Sequence, residues 1–368
     1  MRLLPALGFA ALAACSVEPA EENAAQPAPS TTAAASAAPR PEPIETPATA
    51  PTPGELKTFS DWIVGCDNTK VCTLASLGPE AGAFPDVTME ITRQPGPTGA
   101  FEIAFDAAES DDPVQPVAVT VDGERIALAE LSGEAPARAV AAMANGRQLT
   151  VLGSGDRPRG RISLNGASAA LRWVDAQQGR AGTVTAAVAK GERPAGAVPE
   201  RRPAPVIDAR TATGTPARPS AQQLAAMRTR AGCEDRRMAD GDLFKPETHP
   251  LGGGATLVLV PCSAGAYNLS SALFVFQDGE VAPVRTDAPS GFDATGAKGE
   301  AVPSVVNTGW KEGELTSYAK GRGLGDCGVM QSFVWDGRRL RLSEQREMGE
   351  CRGNPNYITT WRAQVIRR

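Results

Sequence analysis

The chain has 368 residues, of which 42% are hydrophobic, 21% are charged and 5% are aromatic, and its formal net charge is −5 at pH 7. This length corresponds to about two domains, and the acidic balance argues against a nucleic-acid-binding protein that relies on bulk positive charge. The single histidine, His249, argues against a multi-histidine metal site and against histidine-based catalysis.

The first predicted element is a secretory signal at residues 1–14, formed by Arg2 and a short apolar run up to Leu12. The sequence Leu-Ala-Ala-Cys that ends at Cys15 resembles the bacterial lipobox. This resemblance implies cleavage before Cys15, a diacylglycerol on its sulfur and acylation of the new amino terminus. Ser16 in place of aspartate implies, by analogy with enteric lipoproteins, sorting to the outer membrane. We therefore expect a lipid-anchored envelope protein that faces the periplasm; an ordinary cleaved signal is the alternative.

A disordered tether is predicted at residues 15–54. Positions 16–54 contain nine prolines, eleven alanines and no aromatic residue. Such a segment buries too little apolar surface to offset the entropy lost on ordering. We therefore expect a flexible connection between the membrane and a folded body.

The first folded domain is predicted at 55–190 and is rich in strands. Asp122-Gly123 predicts a hairpin turn, and two alanine-rich stretches predict helices from Ala135 to Ala144 and from Ala167 to Gln178. Apolar residues at alternate positions, the signature of half-buried strands, occur at 87–91, 101–105 and 117–121.

A second proline-rich segment, at 191–219, predicts a linker, and a second folded domain follows at 220–368. Residues 220–223 have a capping-box pattern that predicts a short helix to about Arg230, ended by Gly232. The predicted fold class is α+β and β-dominant, with two small antiparallel-sheet domains and a few short helices. Strands are predicted at 256–260, 273–276 and 329–335, with hairpin turns at Asp278-Gly279 and Asp336-Gly337.

Six cysteines remain once Cys15 is assigned to the lipid, and an even number in an oxidising compartment predicts three disulfides. Two of these cysteines precede the predicted linker and four follow it. If each disulfide forms within one domain, the first domain has one possible pairing and the second has three. A zinc site is not expected, because the sequence has no C-x-x-C pair. Nearest-neighbour closure favours the pairs Cys66–Cys72, Cys233–Cys262 and Cys327–Cys351.

The segment from Gly323 to Gly328 matches G-x-G-x-x-G, a pattern found in dinucleotide-binding folds. That interpretation requires a preceding parallel strand and a following helix, whereas the next segment, 329–335, is β-like. We interpret the glycines as a tight turn and expect no cofactor.

No catalytic residue is assigned from the sequence. His249 lies between two prolines in a predicted loop, and the sequence has no G-x-S-x-G elbow. Asp240-Gly-Asp242 is interpreted as a turn, since it lacks the ligand series of a calcium loop, and no metal is expected. Acid–base chemistry by paired carboxylates stays open. The available carboxylates include Asp67, Asp175, Asp326 and Asp336.

Residues 320–368 form a basic aromatic region, with ten lysines and arginines against five acidic residues. Trp335, Tyr357 and Trp361 lie among them, and arginine with aromatic residues is the composition of binding hot spots. A basic face here would suit an acidic protein, glycan or lipid headgroup. The alternative is that the arginines line solvated strands while the aromatics fill the core.

Four segments in combination resemble a bacterial envelope family catalogued as domain of unknown function 1176. The resemblance covers about 55–190 and 220–368, and the first domain is also distantly similar to the invasion-associated locus B proteins. Neither family implies an established reaction, cofactor or catalytic residue. The segments are Phe59–Cys72, Ile162–Arg180, Pro261-Cys262 before Gly265–Asn268, and Gly321–Gly328.

These patterns predict an envelope lipoprotein that acts as a non-enzymatic binding module for an envelope protein or glycan, and nucleic acid is not expected as a partner. Inhibition of a lysozyme-like enzyme is a subtype of this predicted function. The expected contact surface is the basic aromatic region. The alternative function is a carboxylate-dependent hydrolase that acts on envelope glycans.

Overall fold

The computed structural model describes residues 50–80, 84–107, 116–233, 244–288, 294–295 and 301–368. The predicted signal, Cys15, the tether up to residue 49 and the Asp240–Asp242 turn lie outside these residues. Thr49–Arg368 form one compact unit. No helix in the described ranges is long and apolar enough to cross a membrane.

The first sheet contains five antiparallel strands in the order β1-β2-β3-β4-β5. Cys66 lies directly opposite Cys72 across the β2–β3 hairpin, as the turn-rich residues between them require. The strands are β1 (Leu56–Phe59), β2 (Trp62–Cys66), β3 (Cys72–Ser76), β4 (Val87–Arg93) and β5 (Phe101–Ala107).

A four-stranded sheet and two helices cover one face of the first sheet, and together they enclose the largest apolar cluster. In α2, Ala167, Ala170, Leu171 and Val174 are buried, which is the spacing of one helix face. The elements are β6 (Ala118–Val121), β7 (Glu124–Ala127), α1 (Glu134–Met143), β8 (Gln148–Leu152), β9 (Pro158–Ser163) and α2 (Ala167–Gln177).

The C-terminal half begins with β10 (Val206–Ala209) and α3 (Ala221–Ala231), and the elements described after α3 are strands. Its two larger sheets pack their apolar faces into a cluster around Leu257, Phe333 and Leu342. The first of these sheets contains β11 (Glu247–Gly252), β12 (Ala255–Ala264), β13 (Leu269–Gln277), β14 (Glu280–Pro283) and β17 (Ser304–Val306). The second contains β18 (Gly309–Lys311), β19 (Glu314–Lys320), β20 (Gly328–Trp335), β21 (Leu340–Met348) and β22 (Ile358–Arg362).

Two short strand pairs complete the fold: β15 (Ala294–Thr295) with β16 (Ala301–Val302), and β10 with β23 (Gln364–Arg367). The β10–β23 pair is parallel and joins the 191–219 segment to the C-terminus. The sequence pattern did not predict this pairing, because its partners are too distant along the chain to leave a local signature.

The predicted fold class is confirmed: the described part of the chain is β-dominant, with several small antiparallel sheets and three α-helices, which lie at the predicted positions. The end of the predicted tether, residues 50–54, is described, and the Gly54 amide donates to the Thr360 carbonyl at 2.8 Å. The predicted domain boundary at 191–219 stays a prediction.

Candidate functional site

A polar cleft lies between the first sheet and the C-terminal strands. Successive side chains of a strand point to opposite faces, so Thr73, Glu90 and Thr92 are on the outer face while Leu74 and Ile91 are buried in the core. Thr73 and Thr92 are cross-strand partners, and their hydroxyl oxygens are 3.3 Å apart. The outer face of β3 and β4 therefore forms one polar wall of the cleft.

The opposite wall is fixed by contacts between the two halves of the chain. The Arg362 guanidinium forms an ion pair with Asp67, whose side chain is fully buried. Asn68 and Arg362 also exchange two hydrogen bonds: the Asn68 amide donates to the Arg362 carbonyl at 3.0 Å, and the Arg362 backbone N–H donates to Asn68 Oδ1 at 2.9 Å. These bonds hold β22 beside the β2–β3 turn.

The cleft has a volume of about 240 Å³ and contains three arginines. Its N-terminal lining consists of Val71, Thr73, Glu90, Thr92, Gln94 and Arg201. Its C-terminal lining consists of Arg346, Tyr357, Thr359 and Arg362. Glu90 supplies the one carboxylate of this lining.

The three arginines that line the cleft do not use all of their hydrogen-bond donors in the contacts described below. An arginine side chain has five N–H donors; Arg346 directs Nε and Nη2 to the Tyr357 carbonyl, at 3.2 and 3.1 Å. Arg362 uses Nε for Asp67. Arg201 is exposed, and within the described ranges its side chain forms no hydrogen bond or ion pair. The cleft is thus suited to a negatively charged group.

Glu90 lies where this cleft meets a second one. Burial raises the pKa of Glu90 above its usual value, the positive charge of Arg346 opposes this rise, and the negative charge of Asp106 adds to it. A hydrogen bond with Thr92 favours the ionised form. The carboxyl of Glu90 therefore takes up a proton more readily than an exposed glutamate does.

The second cleft has a volume of about 420 Å³ and shares Glu90 and Thr92 with the first. In the β4–β5 register Glu90 faces Ala104, and Thr92 faces Glu102. Glu90 and Glu102 are therefore diagonal neighbours on one sheet face, a position in which long side chains reach each other. The remaining lining residues are Ile103, Ala104, Leu131 and Ser132.

The six cysteines form three disulfides, Cys66–Cys72, Cys233–Cys262 and Cys327–Cys351, which is the nearest-neighbour pattern. None of these cysteines lines either cleft. The disulfides hold loops in place. In the described part of the chain, no group of three or more His, Cys, Asp or Glu residues is arranged to hold a metal.

The predicted glycine-rich turn is a loop between two antiparallel strands, β19 and β20, and internal hydrogen bonds fix its conformation. The Gly321 amide donates to the Cys327 carbonyl at 2.8 Å, and the Arg322 guanidinium pairs with the Asp326 carboxylate. A dinucleotide fold requires a parallel strand and a helix at this point. The interpretation as a turn agrees with the structure.

His249 lies in β11 and not in a loop, which corrects the sequence-based expectation. Its ring stacks on Trp310 with centroids 4.9 Å apart, and it contacts Glu247 at 3.1 Å. The strand accepts Pro250 because β11 is at the edge of its sheet. No nucleophile is among these contacts of His249.

The four candidate carboxylates are spread over the fold. Asp67 accepts from the backbone of Thr69 and Val71, and Asp336 accepts from the backbone amide of Arg339. Asp175 accepts from three backbone amides at 187–189, and Asp326 accepts from the Gly353 amide. Each holds a loop, and they do not converge on a common cleft.

The aromatic residues of the 320–368 region belong to the core. Trp335 and Tyr357 are buried, and the Trp361 indole donates to the Leu342 carbonyl at 3.2 Å. The region nonetheless supplies Arg346 and Arg362 to the cleft. The sequence patterns did not identify Glu90 and Arg201 as site residues. The available signals were the outward-facing polar position of Glu90 in β4 and the pair of adjacent arginines, Arg201 and Arg202, in a proline-rich segment.

Comparison with known proteins gives one family and one curated relative. Residues 56–364 match the model of the family DUF1176, whose description is "Protein of unknown function". An uncharacterised protein of Escherichia coli strain K12, YpfG, is 29% identical over 333 residues, which is 83% of this chain and 92% of the relative. No solved structure gives a significant match.

Proposed function

The chain belongs to the DUF1176 family of proteins of unknown function, and on that premise we propose that it is a non-enzymatic binding module for an acidic component of the bacterial envelope. The observation that carries the proposal is the convergence of Arg201, Arg346 and Arg362 on one polar cleft. Guanidinium groups bind carboxylates and phosphates through charge-assisted, often bidentate hydrogen bonds.

The test is binding to isolated Gram-negative envelopes by the full chain with Cys15→Ser, which removes the predicted lipidation site. We expect Arg201→Gln to weaken binding by at least about tenfold, since a hydrogen bond to a charged group contributes about 1.5–3 kcal/mol. Arg138→Gln is the matched control, because Arg138 is exposed on α1 and lines neither cleft. Equal binding by Arg201→Gln and the control would refute the proposal.

The proposal includes the location of the protein. It is based on the lipobox-like residues before Cys15 and on disulfides, which persist in oxidising compartments. Metabolic labelling with palmitate, followed by membrane fractionation, is expected to label the wild type in the outer membrane. Labelling that survives Cys15→Ser would contradict this location.

A second candidate function is hydrolysis of an envelope glycan by Glu90 and Glu102. It is favoured by their diagonal positions in the second cleft and by the raised pKa of Glu90, which suits a general acid. A hydrolase would release fragments from isolated peptidoglycan and lose this activity on Glu90→Gln or Glu102→Gln. Glu130→Gln, at an exposed residue outside the cleft lining, is the control.

A further inference from the structure

The two clefts adjoin and have unlike linings. Glu90 and Thr92 line both of them. All three arginines are at the first end. The lining of the second end contains no lysine or arginine; it has the carboxylate of Glu102 and the apolar side chain of Leu131, while the Ile103 side chain is buried in the core.

The neutral groups of the first cleft suit a ligand that is rich in hydroxyls. Thr73, Thr92 and Thr359 present hydroxyls, which both donate and accept, and the first two also contact each other. Gln94 adds an amide, which donates one hydrogen bond to Glu102 at 3.2 Å. An acidic peptide presents carboxylates on a chain of amides, for which hydroxyl pairs have no special advantage. A sugar presents hydroxyls on every side, beside any carboxylate that it carries.

The second cleft suits an uncharged sugar ring. Leu131 is 43% exposed and lines this cleft, so it offers an apolar surface for the C–H face of a ring. The Glu102 carboxylate, which accepts from the Gln94 amide at 3.2 Å, has further capacity to accept from a ring hydroxyl, and the Ser132 hydroxyl can donate or accept. A second ligand carboxylate at this end would meet Glu102 without a neighbouring arginine to offset the repulsion.

We propose that the ligand is a linear glycan in which an acidic sugar binds among Arg201, Arg346 and Arg362 and a linked neutral sugar binds against Leu131. This inference rests on the proposed function, since it assigns a chemical class to the ligand of the same cleft. Glu90, at the junction, lies beside the linkage between the two sugars.

The probe is a hyaluronan tetrasaccharide, which alternates glucuronate with N-acetylglucosamine. Isothermal titration of the full Cys15→Ser chain is compared with chitotetraose, which is neutral, and with tetraglutamate, which is an acidic peptide. We expect hyaluronan to bind at least about tenfold more tightly than either, since one charged hydrogen bond contributes roughly this factor. Arg201→Gln should remove that advantage, and Arg138→Gln should keep it.

The second end is tested separately with Leu131→Asp, which adds a negative charge to the neutral-sugar position. This variant should weaken binding of the tetrasaccharide but leave binding of free glucuronate unchanged. Val184→Asp is the matched control, because Val184 is 56% exposed and lines neither cleft. An unchanged tetrasaccharide affinity in Leu131→Asp would overturn the two-sugar arrangement.

The comparison separates failure of this inference from failure of the proposed function. If tetraglutamate binds through Arg201 and the glycans do not, the ligand is an acidic peptide; the glycan inference is wrong and the acidic-ligand cleft stands. Equal binding of chitotetraose and hyaluronan would also overturn the inference, because the arginines would then have no role. If no acidic probe binds and isolated envelopes are not bound either, both proposals fail.

Discussion

At the scale of single residues, the surroundings of Glu90 make the stability of the folded chain depend on pH. It occupies an outward position of β4, flanked across the sheet by Ala104 and half-buried by the C-terminal segment. Burial raises its pKa, Arg346 lowers it and Asp106 raises it, so the folded chain holds the proton more tightly than the unfolded chain. The contribution of Glu90 to stability is therefore fully present below its ordinary pKa of 4.5 and is lost as the pH rises through the folded value.

We predict that Glu90→Gln leaves the urea midpoint unchanged near pH 4 and raises it at pH 7, because the amide stays neutral. Urea titrations at the two pH values, followed by tryptophan fluorescence, measure the difference. Glu130→Gln, at an exposed position, should leave both midpoints unchanged. A stability gain of Glu90→Gln that is equal at both pH values would contradict this explanation.

Arg180 is fully buried and is the hydrogen-bond centre of the loop that follows α2. Its guanidinium donates to Gln178 Oε1 at 2.8 Å, to the Gly96 carbonyl at 2.6 Å and to the Gln94 carbonyl at 3.1 Å. It also donates to Thr185 Oγ1 at 3.0 Å. Family resemblance marked this segment, and its role in the structure is to link the loop to the first sheet.

We predict that Arg180→Ala lowers the free energy of unfolding by at least about 3 kcal/mol. The variant leaves several buried acceptors without a donor and creates a cavity, and both effects destabilise. Chemical denaturation measures the change. Arg138→Ala, at an exposed position of α1, should change stability by less than about 0.5 kcal/mol; similar losses in the two variants would contradict the role of Arg180.

At the scale of elements, helix α3 is defined by its two ends. The Ser220 hydroxyl accepts from the Gln223 amide at 3.2 Å, and the Gln223 side chain accepts from the Ser220 amide at 2.8 Å. Gly232 ends the helix at φ 63°, a left-handed conformation that favours glycine. Met227 and Ala231 are the buried residues of this helix, and the Cys233–Cys262 disulfide follows directly after its end.

Ser220→Ala is predicted to destabilise α3 by about 1 kcal/mol, because it removes the acceptor for an otherwise unpaired amide. Hydrogen exchange of the α3 amides should accelerate accordingly. Ser220→Gly is the informative comparison, since glycine at this position costs only a few tenths of a kcal/mol. If exchange were faster in the glycine variant than in the alanine variant, the cap would not be the cause.

The elements that sequence patterns predicted are those whose signals are local. All three helices, the β2–β3 hairpin and the turns at Asp122-Gly123 and Asp336-Gly337 depend on residues within a few positions of each other. The strand at His249 and the parallel β10–β23 pair were missed. Both are stabilised by hydrogen bonds to other strands, which outweigh the local preference of proline-containing segments for loops.

At the scale of the whole molecule, one apolar cluster contains residues from both halves of the chain. Ile63, Ala75 and Leu77 of the first half pack with Met348 and Ile358 of the second. Arg352 reinforces this contact by donating to the carbonyls of Ser60 and Gly78 and to Asp61. We therefore expect the two halves to unfold together, whatever their boundary.

We predict that Ile358→Ala lowers stability by about 2–5 kcal/mol, the usual cost of truncating a buried isoleucine. Hydrogen exchange followed by mass spectrometry should show equal loss of protection in β2–β4 and in β19–β21. Ala104→Gly, at an exposed position of β5, serves as a control with a small local effect. Loss of protection confined to the C-terminal strands would contradict joint unfolding.

The sequence by itself determined the fold class, the three helices, the hairpin turns and the lack of a recognised catalytic motif, because alternation, capping residues and turn residues act over short distances. Only the tertiary structure decided that Glu90, Arg201 and Arg346 share one cleft. These residues come from a strand, a proline-rich segment and a second sheet, and each alone resembles an ordinary surface residue. Their proximity depends on the packing of β22 against the first sheet, which is a long-range interaction that leaves no periodic signal in the chain.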